Sequence, residues 1–397
     1  MHGFTTVKVV IAGYGSRGDV EPCAAVGREL LRRGHDVRMA APPNMIDFVE
    51  SVGLRAVAYG PDSQQVMNPA ADLVTGVATR GLNLFSVLTE VTEQVSQVKA
   101  DKTATLKHLT EGADLLVAGF NEHGLAANVA EYQDIPLAVL HCFPERVWSA
   151  GGMYAAISKQ TDDAQRAQLG LAEATGTSTS LQIQAYDELC LPGPAAEWVK
   201  PDFLGPFVGA LTLELPTDAD EEVLSWIAAG TPPIYFGFGS TPIESPAETV
   251  AVINGACARL GERALICSGP NEFTGVPELD QVKVVGAVNH AVVFPACRAV
   301  VHHGGAGVTA AGLRAGAPTL ILWFWLDQPV WAAGISRLEV GAGRAFSEST
   351  LDSVVADLRR VLAPQYAARA RVVAGQMTKS AESVCRAADL LEGASHE

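Results

Sequence analysis

The 397-residue sequence contains no apolar run near the ~18 residues that a membrane-crossing helix requires. The longest candidate, Ala317 to Leu326, is about half that length. Basic residues are also few: 28 Lys and Arg stand against 44 Asp and Glu, for a net charge of −16. A nucleic-acid binder needs a basic face to neutralise phosphates, so no nucleic-acid partner is expected, though a local basic pocket stays open. The seven cysteines, at 23, 142, 190, 257, 267, 297 and 385, form no close CxxC pair, and their number is odd. That argues against a disulfide framework or a structural zinc site. The start, MHGFTTVKVVIAGYG, lacks a signal-peptide pattern, so a cytoplasmic location is expected. Nothing in the pattern sets an oligomeric state, and peripheral membrane contact stays open.

What is present is ample material for large cores: 48% hydrophobic and 18% charged residues. At roughly 100–200 residues per domain, the length suggests two domains or three small ones. Val7 to Ala12 reads as a buried parallel strand, Gly13 to Gly18 as a turn, and Glu21 to Arg33 as a helix with Pro22 in its first turn. Asp36 to Ala41 follows as a strand and Met45 to Val52 as a helix. Asp114 to Ala118 and Leu137 to Leu140 read as further strands around a helix at Leu125 to Tyr132. Residues 62–110 and 145–185 show no clear strands.

A Pro- and Gly-bearing stretch, PFVGALTLELPTD at 206–218, reads as a linker, after which the rhythm restarts. Strands are expected at Ile234 to Phe238, Arg263 to Cys267, Val282 to Val285, Ala299 to His302 and Thr319 to Leu322. Helices are expected at Pro246 to Leu260, Gly307 to Arg314, Leu351 to Leu362 and Tyr366 to Leu391. The alternation implies an α/β protein of two doubly wound halves, 1–205 and 219–375, followed by a last helix at 376–397. Binding sites in such sheets lie at the carboxyl ends of the strands, and two facing halves would share a cleft.

Four turns are candidates for chemistry. Gly13-Tyr14-Gly15-Ser16-Arg17-Gly18 fits G-x-G-x-x-G between a strand and a helix. A dinucleotide site would also need an acid at the end of the second strand, but that strand ends Met39-Ala40-Ala41, with Asp36 at its start. Asp19 then places a carboxylate at the helix start, where it would repel a pyrophosphate and suit a catalytic base. The second turn, His302-His303-Gly304-Gly305-Ala306-Gly307-Val308, follows a strand and opens a helix, where backbone N–H groups attract anions. Core histidines in a glycine-permitted turn are the plainer alternative. Gly237-Phe238-Gly239-Ser240 and Asp327-Gln328-Pro329 are weaker signals. Each reads equally as an ordinary turn, or as a hydroxyl near a phosphate and as a polar pair suited to sugar hydroxyls.

Taken together, GSRGDVEP at 15–22, ELLRRGHDVRMAAPP at 29–43, IYFGFGS at 234–240, VNH at 288–290, HHGGAG at 302–307 and DQP at 327–329 resemble the family 1 glycosyltransferases of the GT-B fold. The similarity is strongest to the actinobacterial branch that decorates glycopeptide antibiotics and mycobacterial glycolipids. It implies two Rossmann-like domains facing across a cleft, with the acceptor on the first, the nucleotide-sugar donor on the second, and the last helix, 376–397, crossing back to the first. Asp19 would be the general base that deprotonates the acceptor hydroxyl. Ser16 and Ser240 would contact the donor diphosphate, and His303 would bond a phosphate. Gly305, Ala306, Gly307 and Val308 would complete the cradle. Asp327 and Gln328 would hold the sugar, and the Val288 backbone would meet the base. Val308 stands where relatives often carry Thr or Ser, and Ala287 where plant relatives stack a tryptophan, so uracil and thymine stay open.

The resemblance implies an inverting hexosyltransferase that uses a UDP- or dTDP-sugar and needs neither cofactor nor metal. The departing diphosphate would be stabilised by helix N-termini and His303. Asp19 has an ordinary pKa near ~3.9, so burial or a neighbour must tune it. Asn121-Glu122-His123 follows a strand of the same half, with His123 weighed as that partner against a plain surface-loop role. Asn121, His123 and Trp148 are the candidate acceptor contacts. Met67, Leu82, Leu84, Phe85, Val87, Met153 and Tyr154 are core residues or, lining a cleft, point to a large hydrophobic acceptor such as a lipopeptide, polyketide or glycopeptide aglycone. The alternatives are a nucleotide-sugar epimerase, an NAD-dependent oxidoreductase, and an inactive sugar-nucleotide binding protein, against which an intact Asp19 argues.

Overall fold

The computed structural model describes residues 6–64, 84–148, 152–173, 180–269, 271 and 281–395, with the side chains of 84–94, 148 and 152–158 left out. Met67, Leu82 and the side chains of Leu84, Phe85, Val87, Met153 and Tyr154 therefore lie outside the described set. Among the described residues no helix is long and apolar enough to cross a membrane.

Two compact units emerge: 1–185, 199–213 and 380–397 form the first, and 186–198 with 214–379 form the second. This differs from the sequence reading in one stretch. Residues 186–198 fall inside the expected first half but pack on the second. There the Cys190 carbonyl sits against Gly334, Tyr186 meets the Trp331 ring at 5.4 Å, and Asp187 accepts hydrogen bonds from Thr378. Close backbone approach at a glycine leaves no periodicity to read.

The first unit is built on strands β1 (Lys8–Ala12), β2 (Asp36–Ala41), β3 (Arg55–Ala58), β4 (Leu115–Gly119), β5 (Leu137–His141) and β6 (Leu181–Gln184). They pair in the order β3-β2-β1-β4-β5-β6, all parallel. The second unit uses β7 (Ile234–Gly237), β8 (Ala264–Cys267), β9 (Val282–Val285), β10 (Ala299–His302), β11 (Thr319–Trp323) and β12 (Gly341–Ala345). Their order, β12-β11-β10-β7-β8-β9, repeats the first sheet strand for strand. In both, the order reverses beside the first strand of the unit, the switch point at which ligands bind in doubly wound sheets.

The cores follow from composition. Val10, Leu116, Val139 and Leu106 are buried together on one face of the first sheet, and Phe236, Val301, Leu320 and Leu358 on one face of the second. Parallel strands buried on both faces need such continuous apolar runs. Three strands escaped the sequence reading. β3 is RAVA, β6 is LQIQ and β12 is GAGRA, and none offers a run of β-branched residues.

The helix expected to start at Glu21 starts at Arg17, which leaves Pro22 inside it. The start is moved forward by Ser16 and Asp19, which cap it before Pro22 is reached. Pro22 has no N–H to close the bond to Gly18. The single helix expected at Tyr366 to Leu391 is two, Pro364–Ala374 and Ser380–Ala394. The second belongs to the first unit and is tied to the helix Arg17–Arg32 and its end: Arg33 donates to Asp389 and Glu392 at 2.7 Å each, and His35 meets Glu392 at 2.9 Å.

Candidate active site

In the first unit the switch point lies between the loops that leave β1 and β4. The β1 loop turns through Gly15 at φ +131°, a region closed to most side chains. Ser16 is the N-cap of the helix, and Asp19, three residues on, reaches back to it. The Ser16 N–H and Oγ–H donate to Asp19 Oδ2 at 2.8 and 2.9 Å. This is the acidic half of a capping box, and it fixes the carboxylate against the turn. Asn121, from the β4 loop, donates its Nδ2–H to Asp19 Oδ1 at 2.9 Å. The two loops are thus joined through the carboxylate itself.

Asp19 is half-buried, and loss of solvent around its carboxyl is the largest influence on its proton affinity. It raises the pKa above the ordinary value, as the charge of Glu122 also does, while the Ser16 and Asn121 hydrogen bonds pull it down. The net direction is upward. Tyr14, Phe120, Phe143, Cys142 and Gly119 line a small pocket with Asp19 and Asn121. Its walls are largely aromatic.

His123 does not reach Asp19. Its Nε2 lies 3.5 Å from Ser180 Oγ, and its ring stands edge-on to His141 and Phe203. Burial lowers its pKa, partly offset by Asp162. The partner sought in the Asn121-Glu122-His123 run is therefore Asn121, which had been read as an acceptor contact. The one-turn helix after β4 points Asn121 outward to Asp19 and Glu122 inward, and starts the helix at His123. Trp148 ends the short helix Glu145–Trp148, and its side chain lies outside the described set.

The second unit repeats the arrangement with different side chains. Gly239, at φ +60°, turns the chain after β7; His302 ends β10, and His303 follows it. A Cβ on Gly239 would stand 2.6 Å from His303 Cε1, and one on Gly305 2.7 Å from His303 Nε2. The imidazole therefore occupies space that two glycines leave free. Burial, helped by the nearby His290, lowers the His303 pKa to about 4, against a pull upward from the Gly237 backbone. His303 is therefore neutral near pH 7. His302 is fully buried, accepts the Gly304 N–H at its Nδ1 (3.0 Å), and is a structural residue of the loop.

Gly305 is the N-cap of the helix Ala306–Arg314, so Ala306, Gly307 and Val308 form its first turn. Their N–H groups have no partner within the helix and carry its positive end. Ser240 is exposed just beyond Gly239.

Asp327 and Gln328 are both buried, and both are engaged within the protein. The Trp331 Nε1–H donates to Asp327 Oδ2 at 2.6 Å, and Gln328 Oε1 accepts the Phe324 N–H at 2.7 Å. Val288 is buried in the core of this unit, and Asn289 caps the short helix His290–Val293. His290 in turn meets the Tyr235 hydroxyl at 3.2 Å.

Two family models match. One, described as the C-terminal domain of erythromycin biosynthesis protein CIII-like proteins, covers residues 267–387. The other, the glycosyltransferase family 28 N-terminal domain, covers residues 9–111. An uncharacterized glycosyltransferase of Mycobacterium leprae is 56% identical, over 97% of this chain and 96% of its own length. The chain belongs to the GT-B glycosyltransferases. A sterol 3-beta-glucosyltransferase of Arabidopsis thaliana is 29% identical over 90% of this chain and 63% of the plant protein. Among solved structures, a spinosyn rhamnosyltransferase has a TM-score of 0.72 at 17% identity and covers 98% of this chain and 100% of its own. A glycosyltransferase in complex with dTDP has a TM-score of 0.67 at 19% identity, covering 98% and 99%.

In this glycosyltransferase, three partners escaped the sequence reading. Trp331 lies four residues after Asp327, one helical turn on, and that spacing was legible. The approach of Lys102 and Tyr59 to Glu122 is long-range and left no local signal.

Proposed function

We propose that this glycosyltransferase moves a hexose or deoxyhexose from a UDP- or dTDP-sugar to a hydroxyl of a hydrophobic acceptor, with inversion at the anomeric carbon. The observation that carries the reading is the Asp19 carboxylate, clamped at the switch point of the first sheet beside an aromatic pocket. Each carboxylate oxygen can accept about two hydrogen bonds. Oδ2 already takes two, from Ser16, and Oδ1 takes one, from Asn121. Oδ1 is then the atom left to receive the acceptor proton.

As that proton moves to Asp19, the acceptor oxygen forms its bond to the anomeric carbon, and the bond from that carbon to the diphosphate oxygen breaks. The charge that grows on the leaving diphosphate is met by the N–H groups of Ala306, Gly307 and Val308 and by His303. Ser240 adds a hydroxyl at the same edge, and Ser16 serves mainly to hold Asp19. Asp327 and Gln328, held by Trp331 and by the 324–325 backbone, stand for the pair that meets the donor sugar. The Val288 backbone lies at the nucleobase, and charge neutralisation by the helix replaces a divalent metal. The dTDP complex of one structural relative supports the donor class, and the sterol named for the plant relative supports an apolar acceptor.

A melting panel with UDP, dTDP, GDP and NAD⁺ tests the reading. A ligand at ~100 times its dissociation constant adds about 2.7 kcal/mol. A shift with UDP or dTDP is the expected result and selects the sugar nucleotides for turnover. A shift with NAD⁺ alone would overturn the donor assignment.

A further inference from the structure

Behind Asn121 lies a buried charge cluster that the reaction does not touch. Glu122 is 3% exposed, yet both of its oxygens are occupied. Oε1 accepts from Lys102 Nζ at 2.5 Å, and Oε2 accepts from the Tyr59 hydroxyl at 2.5 Å. The Lys102 ammonium stands 3.7 Å from the Tyr14 ring centroid and 4.8 Å from that of Tyr59, so two aromatic faces and one carboxylate enclose it. Tyr14 donates its own hydroxyl to the Pro61 carbonyl at 3.0 Å. Four segments converge here: the β1 loop through Tyr14, the end of β3 through Tyr59, the helix Leu84–Leu109 through Lys102, and the β4 loop through Glu122.

Two of those segments carry the groups that hold Asp19. Tyr14 lies two residues before Ser16, and Glu122 is the direct neighbour of Asn121. A buried ion pair is a weak source of net stability, because desolvation offsets most of its attraction. What it does supply is a defined geometry. We propose that the Lys102–Glu122 pair is a positioning device for Asp19, acting through Asn121 and Tyr14 on the placement of its carboxylate.

The proposal rests on the reading of Asp19 as general base. The charged and titratable groups that bear on the cluster are Asp19 and Cys23 from the first helix, Tyr14 and Asp62 from the loops, Tyr59 from β3, and Lys102 and Lys99 from the long helix. The Glu122 charge is felt by each of its near neighbours. It opposes ionisation of Tyr14, Tyr59, Cys23 and Asp19, each after burial as the larger cause, and favours the cation on Lys102.

The experiment follows the Asp19 carboxyl by ¹³C NMR titration in the full-length protein, with Asp19→Asn to assign the signal, alongside the pH profile of kcat. In Glu122→Gln the negative neighbour is gone, and Lys102 loses the charge that favours its cation. The Asp19 titration is then expected to fall by about half a pH unit or more. Turnover should fall about tenfold with donor KM unchanged, and the acidic limb of kcat should move with the titration. If Glu122→Gln does not fold, Tyr59→Phe decides. It removes one hydroxyl whose dipole screens Glu122, and the titration is expected to rise.

A pair that serves only stability would lower the melting temperature and leave the Asp19 titration where it is, which would overturn the proposal. A titration that moves while the kcat limb stays fixed would support the positioning role and refute Asp19 as base.

Discussion

Gly15→Ala attacks the clamp on Asp19 without touching the carboxylate. The new Cβ would lie 2.4 Å from Asp19 Oδ2 and 2.7 Å from its Cγ. Ordinary contact begins roughly 1 Å farther out, so the carboxylate has to retreat by about that much. Alanine also has to adopt the φ of +131°, at a cost of ~1–3 kcal/mol. Retreat breaks the two Ser16 bonds, and with them a helix cap worth ~1 kcal/mol. The stability of the first unit is therefore expected to drop by about 2–4 kcal/mol. A misplacement of about 1 Å at a reacting group costs on the order of 10² in rate. Turnover should fall by that factor, while nucleoside diphosphate binding, carried by the second unit, should hold. Urea denaturation followed by signals from each unit, a donor titration and single-turnover transfer would measure the three. A Gly15→Ala enzyme with wild-type turnover would refute the claim that this geometry places the base.

Gly305→Ala is the counterpart in the second unit. Its Cβ would stand 2.7 Å from His303 Nε2, so the ring is displaced, and dTDP or UDP affinity should weaken about tenfold or more while the Asp19 titration is unchanged; calorimetry checks the first and NMR the second. Acid sensitivity follows from the histidines. Burial holds His141 and His303 at about 4, below the ordinary ~6.5, so as pH falls the unfolded chain takes up protons first. Their stabilising contribution is complete above ~6.5 and is lost progressively down to about 4, at most ~3 kcal/mol each. Denaturation at pH 7 and 4.5 should show the loss, and His303→Asn should reduce it for the second unit. Because a diphosphate favours the imidazolium, donor binding near pH 6 should take up protons, visible as a calorimetric enthalpy that varies with the buffer.

Much of this was readable from the residues, for reasons that differ by element. The strands ending at Ala12 and His302 carry the apolar runs VVIA and AVV, each soon followed by glycine, and such runs suit buried parallel strands. Asp19 was legible because it directly follows the glycine turn, where a carboxylate stands at a helix start. The helix start itself was placed too late: Pro22 was read as a first-turn residue, whereas the Ser16–Asp19 box starts the helix earlier and makes the proline internal. The bond from Asn121 to Asp19 was not legible, since only the sheet order brings the β4 loop beside the β1 loop. Lys102, Tyr59 and Glu122 come from three distant segments, and no spacing in a single chain announces a cluster of that kind. β12, with two glycines in GAGRA, owes its conformation to its partner β11.

The most direct measurement is transfer and donor binding by Asp19→Asn beside the wild-type enzyme, with UDP- and dTDP-hexoses and a panel of sterol and polyketide acceptors. The substitution keeps the shape of the side chain and removes its capacity as a base. The account predicts that nucleoside diphosphate affinity is unchanged and that transfer to the acceptor hydroxyl falls by ~10²–10⁴-fold. Transfer by Asp19→Asn at the wild-type rate would contradict it.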